Sequence, residues 1–297
     1  MENSYSKIET LYTFESDAGG FNTKNYFYDT GVEVVVFDAQ FTEEIAQKSI
    51  EFLRTKTEHP ITHLVVTHPN PDKFNGMGAF QRLGAKVIVS NDTKENMRPI
   101  HEYKKYYFVS MAKMFTEETY PKLREPDVTF QDTYILHLSN GKKVELRELH
   151  MRGISTNQTI ASLPSLNTLL VGDLIHHKAH AWLEGPIVNG KTSYSTENWI
   201  AALKRLEDLY PRDARVYGGR GESGDLGELV REQIAYLKEA ETIARDYVNS
   251  LEGEDLAAKK ARVNYGELAK KFEEAFGNYS LSYMITYGAY GLVNSLS

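Results

Sequence analysis

The chain contains no cysteine. That one absence excludes disulfides, thiolate zinc sites and cysteine nucleophiles together. It leaves the compartment open, because a cysteine-free chain is indifferent to redox state. There is no excess of positive charge either: the net charge is −7, with no long basic run, which argues against a general nucleic-acid-binding surface. No apolar stretch is long enough to span a bilayer, so no membrane partner is expected. The first residues, Met1 to Lys7, lack the apolar core of a signal peptide. A cytoplasmic protein is the plain expectation, although a chain whose secretion signal had been cut away would read the same. Internal repeats, low-complexity tracts and obvious linkers are also missing.

What remains is ordinary globular material. At 297 residues, 41% hydrophobic and 25% charged, the chain can bury a full core. It suits one large α/β domain, or a domain with an appendage. Asn25–Asp29 and Val32–Asp38 read as two strands joined by a turn at Asp29–Gly31. Residues 42–56 carry Ile45, Ile50, Phe52 and Leu53 among charges behind Thr42-Glu43-Glu44, the pattern of a capped amphipathic helix. Strands are expected at 86–90, 133–138 and 143–149, the last two joined by a Ser139-Asn-Gly-Lys142 turn. Between them, residues 94–132 form a helical insertion. It is rich in Tyr103, Tyr106, Tyr107, Phe108, Met111, Met114 and Phe115, a stripe that packs on the sheet or covers a site as a lid. Trp199–Leu209 reads as a helix, and so do two long amphipathic runs, Leu226–Leu251 and Leu256–Phe276. The apolar tail 281–293 is too short to cross a membrane and should dock on its own domain or on a partner.

The chemistry gathers at residues 61–78. A short apolar run (Leu64, Val65, Val66) reads as a buried strand. It feeds Thr67-His68-Pro-Asn70-Pro-Asp72-Lys73 and then Gly76 and Gly78. Polar groups just past a buried strand are where α/β folds place their sites. This segment resembles the signature loop of the metallo-β-lactamase superfamily, T-H-x-H-x-D-H-x-x-G, whose histidines and aspartate bind one or two metal ions, commonly zinc. Thr67, His68, Asp72 and Gly76 match it, while Asn70 and Lys73 stand at the other two histidine positions. The resemblance extends over roughly residues 22–222. Residues 153–164 are similar to the family's G-H-T loop, with Ile154 at the ligand histidine and His150 at a position the family often fills with a non-ligand histidine. Leu169–Asp173 is similar to the strand that ends in the bridging aspartate, and Tyr217–Gly221 to the final G-H-G, with Arg220 at its histidine.

The resemblance implies an α/β fold, an αββα sandwich of the metallo-β-lactamase type with a helical insertion and a helical C-terminal extension. The domain would run over 1–222, with 223–297 packed on it as helices through which a homo-oligomer is expected. It also implies hydrolytic ancestry, since such folds cleave small molecules with a metal-activated hydroxide. Only His68, Asp72 and Asp173 remain as competent ligands, so no metal cofactor is expected. A substoichiometric or mononuclear zinc is the alternative. Lys73 and Arg220 bring cations opposite Asp72 and Asp173, where they can neutralise carboxylates that would otherwise repel each other.

Three functional readings follow. The protein binds a small-molecule ligand or substrate in the old cleft through Asn70, Asp173, Arg220, His177 and His180. Or it hydrolyses an ester, lactone, β-lactam or related molecule with a metal relocated to His176, His177 or His180 beside His68 and Asp173. Or His68, Asp72 and Lys73 act as metal-free catalytic groups. For Lys73 a structural ion pair is the simpler role.

Overall fold

The computed structural model describes residues 8–297, so residues 1–7, on which the leader reading rests, lie outside the described part. The backbone divides into two compact units. One comprises residues up to 148 together with 159–170, the other residues 149–158 with 171–297. The C-terminal helices therefore share a unit with residues 171–222, whereas the sequence suggests a boundary near 222.

The first unit holds a six-stranded sheet in the order β1 (Thr10–Glu15), β2 (Lys24–Asp29), β3 (Val34–Phe37), β4 (Ile61–Val65), β5 (Lys86–Ser90), β6 (Val128–Phe130). The first three strands pair antiparallel and β3 to β6 pair parallel. Every residue of β3 is buried, as expected for a strand covered on both faces. Side chains alternate along a strand. Val34, Val36, Leu64, Val87 and Val89 pack in one cluster with Ala46, Ile50 and Leu53 of helix α1 (Glu43–Arg54) and with the segment that follows β4. That segment forms two short helices, α2 (Pro71–Phe74) and α3 (Met77–Gln81). The alternate residues Val35, Phe37, Val65 and Ile88 are equally buried on the other face.

Helix α4 (Asn91–Tyr106) begins three residues before the expected insertion, because Ser90 caps it by accepting the N–H of Thr93. It continues into a π-helical turn, Tyr107–Met111. The aromatic stripe packs in part: Phe108 and Tyr120 join Phe41 in a buried cluster with Phe21, Tyr107, Val109 and Phe115, while Tyr106, Met111 and Met114 are exposed. A second, antiparallel ladder runs β7 (Thr133–His137), β8 (Lys143–Glu148), β9 (Thr159–Leu163), β10 (Thr168–Leu170). It is tied to the first sheet by Glu33, which accepts the N–H of Ser139 at 2.6 Å, and by Asn140 Nδ2, which donates to the Thr30 carbonyl at 2.9 Å.

The second unit contains short strands β11 (His176–His177), β12 (Ile187–Val188), β13 (Lys191–Thr192), β14 (Arg215–Tyr217), β15 (Arg220–Gly221) and β16 (Gly224–Asp225). Its helices are α5 (Thr196–Leu209), α6 (Leu226–Ser250), α7 (Leu256–Lys260), α8 (Tyr265–Ala275), α9 (Tyr283–Gly288) and α10 (Tyr290–Ser295). The run expected as one helix over 256–276 is two. Asn264 starts a new one by accepting the N–H groups of Gly266 and Glu267 through its side chain. The apolar tail docks within its own unit, with Met284, Ile285, Leu292 and Val293 fully buried. Among the described residues no helix is long and apolar enough to cross a membrane.

Candidate functional site

In the first unit the loop after β4 is held from below by the turn that follows β3. Asp38 lies in the left-handed region at φ 64°, a conformation uncommon outside glycine. Its carboxylate accepts the N–H of Thr67 at 2.9 Å and the Thr67 hydroxyl at 2.9 and 3.0 Å. The single hydroxyl proton is thereby committed to Asp38. Thr67 Oγ1, 3.0 Å from His68 Nδ1, then accepts from a protonated Nδ1 and leaves the lone pair of the His68 ring on Nε2.

Farther along, the Ala39 N–H donates to the Lys73 carbonyl at 2.7 Å and the Gly76 N–H to the Gln40 carbonyl at 2.9 Å. The close approach at Gly76 has no space for a side chain: a Cβ there would lie 2.1 Å from the Ala39 carbonyl oxygen. The glycine of the motif is thus required by packing of backbone on backbone.

This scaffold buries Asp72 and Lys73 as a pair. Lys73 Nζ lies 3.0 Å from Asp72 Oδ2, with the lysine side chain fully out of water. The same Oδ2 accepts the hydroxyl of Thr23 at 2.9 Å. Asn70 precedes α2 without capping it through its side chain. Behind the loop, Asn75 Oδ1 lies 3.2 Å from Nδ1 of buried His101, whose pKa burial pushes down.

In the second unit Gly172 adopts φ 51° and Asp173 follows it in a single 3-10 turn. The Gly219 N–H donates to the Gly172 carbonyl at 2.7 Å. Arg220, on β15, donates through Nη1 to Asp173 Oδ2 at 2.7 Å. Strands β11 and β15 pair parallel with His176 opposite Arg220, and His176 Nε2 lies 3.9 Å from Asp173 Oδ1. Ile154 is buried, an alkyl side chain with no donor atom where the resemblance puts a ligand.

The other two candidate histidines are turned elsewhere. Successive residues of a strand face opposite ways, so His177 points from His176 towards α6, where its Nε2 meets Glu232 at 2.7 Å. His180 is fully buried in an aromatic box of Tyr236, Phe272, Phe276 and Tyr279. The Ala181 N–H donates to the Tyr236 hydroxyl oxygen, and that hydroxyl lies 3.3 Å from His180 Nδ1. Burial pushes the His180 pKa down to about 4, so near neutral pH the ring is uncharged. His180 thus packs among rings of the C-terminal helices. His177 is held against Glu232 of α6.

Sequence reasoning passed over Thr23 and Gln233, whose Oε1 accepts the His176 N–H at 2.8 Å. Thr23 stands 49 residues from Asp72, and no local pattern marks it. Asp38 ends the second of the two strands expected near the start of the chain, but no role was assigned to it there.

At three of the positions where the resemblance puts ligands, the side chains are poor metal donors. A guanidinium and a protonated ammonium have no lone pair to offer, an isoleucine has none at all, and both retained carboxylates are already engaged by cations.

The sequence model of the Metallo-beta-lactamase superfamily matches residues 18–220. Among solved structures, a metallo-beta-lactamase from Pontibacter korlensis is similar, at 20% identity and a TM-score of 0.57 over 78% of this chain and 98% of the other. TMB-1, in a structure described for substrate and inhibitor binding, is similar at 17% identity and TM-score 0.55 over 78% and 99%. DIM-1 metallo-beta-lactamase exposed to ceftazidime gives 14%, 0.57, and coverage of 80% and 95%. Among curated proteins none matches the sequence significantly. At these identities the likeness establishes the fold and leaves the activity to be argued.

Proposed function

The chain belongs to the metallo-beta-lactamase superfamily, and from that premise we propose that it binds a small molecule without the family's pair of metal ions. The observation that carries the reading is the local pairing of each retained carboxylate. Lys73 sits 3.0 Å from Asp72, and Arg220 sits 2.7 Å from Asp173. Both cations occupy positions where the family has ligand histidines. A zinc ion takes about four nitrogen, sulfur or oxygen ligands, three of them from protein in a catalytic site. The donor set here does not fit two such ions, and no metal-activated hydroxide is invoked.

The chemistry left to the chain is recognition. In the first unit Asn70 offers an amide near the Lys73–Asp72 pair, and in the second unit the Arg220–Asp173 pair offers a fixed guanidinium and carboxylate. A small polar or anionic molecule is the matching ligand class. We read Lys73 as the structural partner of Asp72, with Nζ 3.0 Å from Oδ2 and the lysine side chain out of water.

One distance favours a second reading. His176 Nε2, 3.9 Å from Asp173 Oδ1, would let a single relocated metal hold one histidine and one carboxylate if Arg220 moved aside. In that reading the protein is a metal-dependent hydrolase of an ester, lactone, β-lactam or related molecule.

A thermal-shift screen of small carboxylates, lactones and phosphate esters, run in parallel with and without EDTA, separates the two. Stabilisation by a ligand irrespective of chelator supports metal-free binding. Stabilisation or hydrolysis that vanishes with EDTA and returns with zinc overturns it.

A further inference from the structure

Residues 178–184, between β11 and β12, have almost no regular structure of their own, yet Ala179, His180, Ala181 and Leu183 are fully buried. A buried loop must find partners for its main-chain groups. Much of that partnership comes from about a hundred residues later in the chain. The Ser280 N–H donates to the Lys178 carbonyl at 3.0 Å, and its hydroxyl donates to the same oxygen at 3.2 Å. The His180 N–H donates back to the Ser280 carbonyl at 2.9 Å, giving a parallel bridge of Ala179 with Ser280. The Leu292 N–H donates to the Leu183 carbonyl at 2.9 Å.

Two glycines let the backbones meet this closely. A Cβ on Gly291 would lie 1.9 Å from the Glu184 carbonyl oxygen, and one on Gly288 would lie 2.8 Å from the Trp182 ring. Leu281 is held at φ 64°, a costly conformation for a branched residue that persists only where the surroundings enforce it. At its other end the loop continues directly into β11, whose His176 is the residue beside Asp173.

We infer that residues 279–296 are a positioning strap that fixes the 178–184 loop and, through it, keeps His176 beside Asp173. Helix α6 contributes Tyr236 to the same loop, through the Ala181 N–H, and Gln233 to the His176 N–H in β11. The strap holds the part of the loop that α6 does not reach through side-chain hydrogen bonds, Lys178, the His180 N–H and Leu183. This concerns the second unit alone and stands whether or not the ligand proposal does.

The test uses the full chain carrying Gly291→Ala, compared with Gly277→Ala, where the nearest atom to a new Cβ is 3.8 Å away. Amide exchange and the ring resonances of His176 are measured in both. In Gly291→Ala the amides of His180, Ser280 and Leu292 should exchange at least about tenfold faster, as in local opening of one cooperative segment. The His176 ring signals should shift, and amides of β3 and β4 should not change. Gly277→Ala should match the parent throughout. Unchanged exchange at His180, or an unmoved His176 ring despite released Ser280 and Leu292, overturns the inference. Should Gly291→Ala fail to fold, Gly288→Ala decides by the same readouts, because the Trp182 side chain it meets can shift where a carbonyl cannot.

Discussion

Arg220 Nη1 lies 2.7 Å from Asp173 Oδ2, with the two side chains 5% and 2% exposed. Nearly all of this pair's charge is out of water. Burying two ions costs several kcal/mol each, which their attraction repays only with good geometry. The consequence is an asymmetry. Removing one partner strands the other, whereas replacing both with apolar groups removes the burden from both.

Arg220→Ala should therefore destabilise the fold by about 3–5 kcal/mol, and Lys73→Ala by a similar amount. The combined change Arg220→Met with Asp173→Leu should cost clearly less than Arg220→Ala alone. Urea melts at neutral pH measure all of these. If Arg220→Ala and Lys73→Ala shift stability by no more than about 0.5 kcal/mol, typical of surface changes, the cations do not neutralise the carboxylates.

Gly76→Ala should be among the most damaging single methyl additions in the first unit. The new Cβ meets the Ala39 carbonyl at 2.1 Å and Ala46 Cβ at 2.8 Å, and backbone must move to admit it. A loss of about 3 kcal/mol or more is expected, at the upper end of overpacking costs. Gly84→Ala, whose Cβ would meet nothing within 4 Å despite φ 88°, should lose less, about 1–2 kcal/mol from backbone strain. Equal losses at the two positions would remove the close-packing account of Gly76.

The contrast between these glycines shows how far the sequence can be read. The motif frame located Thr67, His68, Asp72 and Gly76 because the strand-to-loop transition is local and its residues are contiguous. The ion pairs were legible as charge replacements at aligned positions, although their distances were not. The clasp between residues 178–184 and 279–296 was not, because register between distant segments of irregular structure leaves no periodic trace. The surroundings of His180 were not legible for the same reason: three of the four rings that box it come from α8 and the stretch after it, more than ninety positions away in the chain. Strand β1 was passed over as well. It is a single edge strand, half-buried, and gives neither a clean alternation nor an all-apolar run.

His180 makes stability depend on pH in a calculable direction. Burial depresses its pKa from about 6.5 to about 4, so the folded protein favours the neutral ring. Its contribution is fully present above the unfolded pKa and is lost as pH falls from about 6.5 through about 4. The full loss should amount to roughly 3 kcal/mol, since each tenfold drop in the ring's proton affinity corresponds to about 1.4 kcal/mol. His180→Gln keeps an acceptor for the Tyr236 hydroxyl and removes the titration. Melts at pH 7 and pH 4.5 should show a smaller difference for the variant than for the parent. An identical difference would mean that His180 is not held neutral by the box.

The last expectation concerns metal. Elemental analysis of the purified protein should give clearly less than one zinc, iron or manganese per chain, and EDTA should leave its melting temperature unchanged. The motive is chemical, since Asn70, Lys73, Ile154 and Arg220 stand where the superfamily supplies histidines, and the latter three side chains offer no lone pair near neutral pH. Restoring histidine at all four positions should raise zinc affinity. Restoring any one should not give the usual pair of ions, because a lone imidazole still leaves at least one carboxylate engaged by its cation. Arg220→His alone is the informative control. It frees Asp173 and adds a donor near His176, so it is the single change most able to create a mononuclear site. If that variant binds zinc stoichiometrically while the parent binds none, the cation at 220 is what excludes the metal. If the parent itself retains two ions per chain, the pairing of Asp72 and Asp173 with cations has been misjudged and the metal-free reading falls.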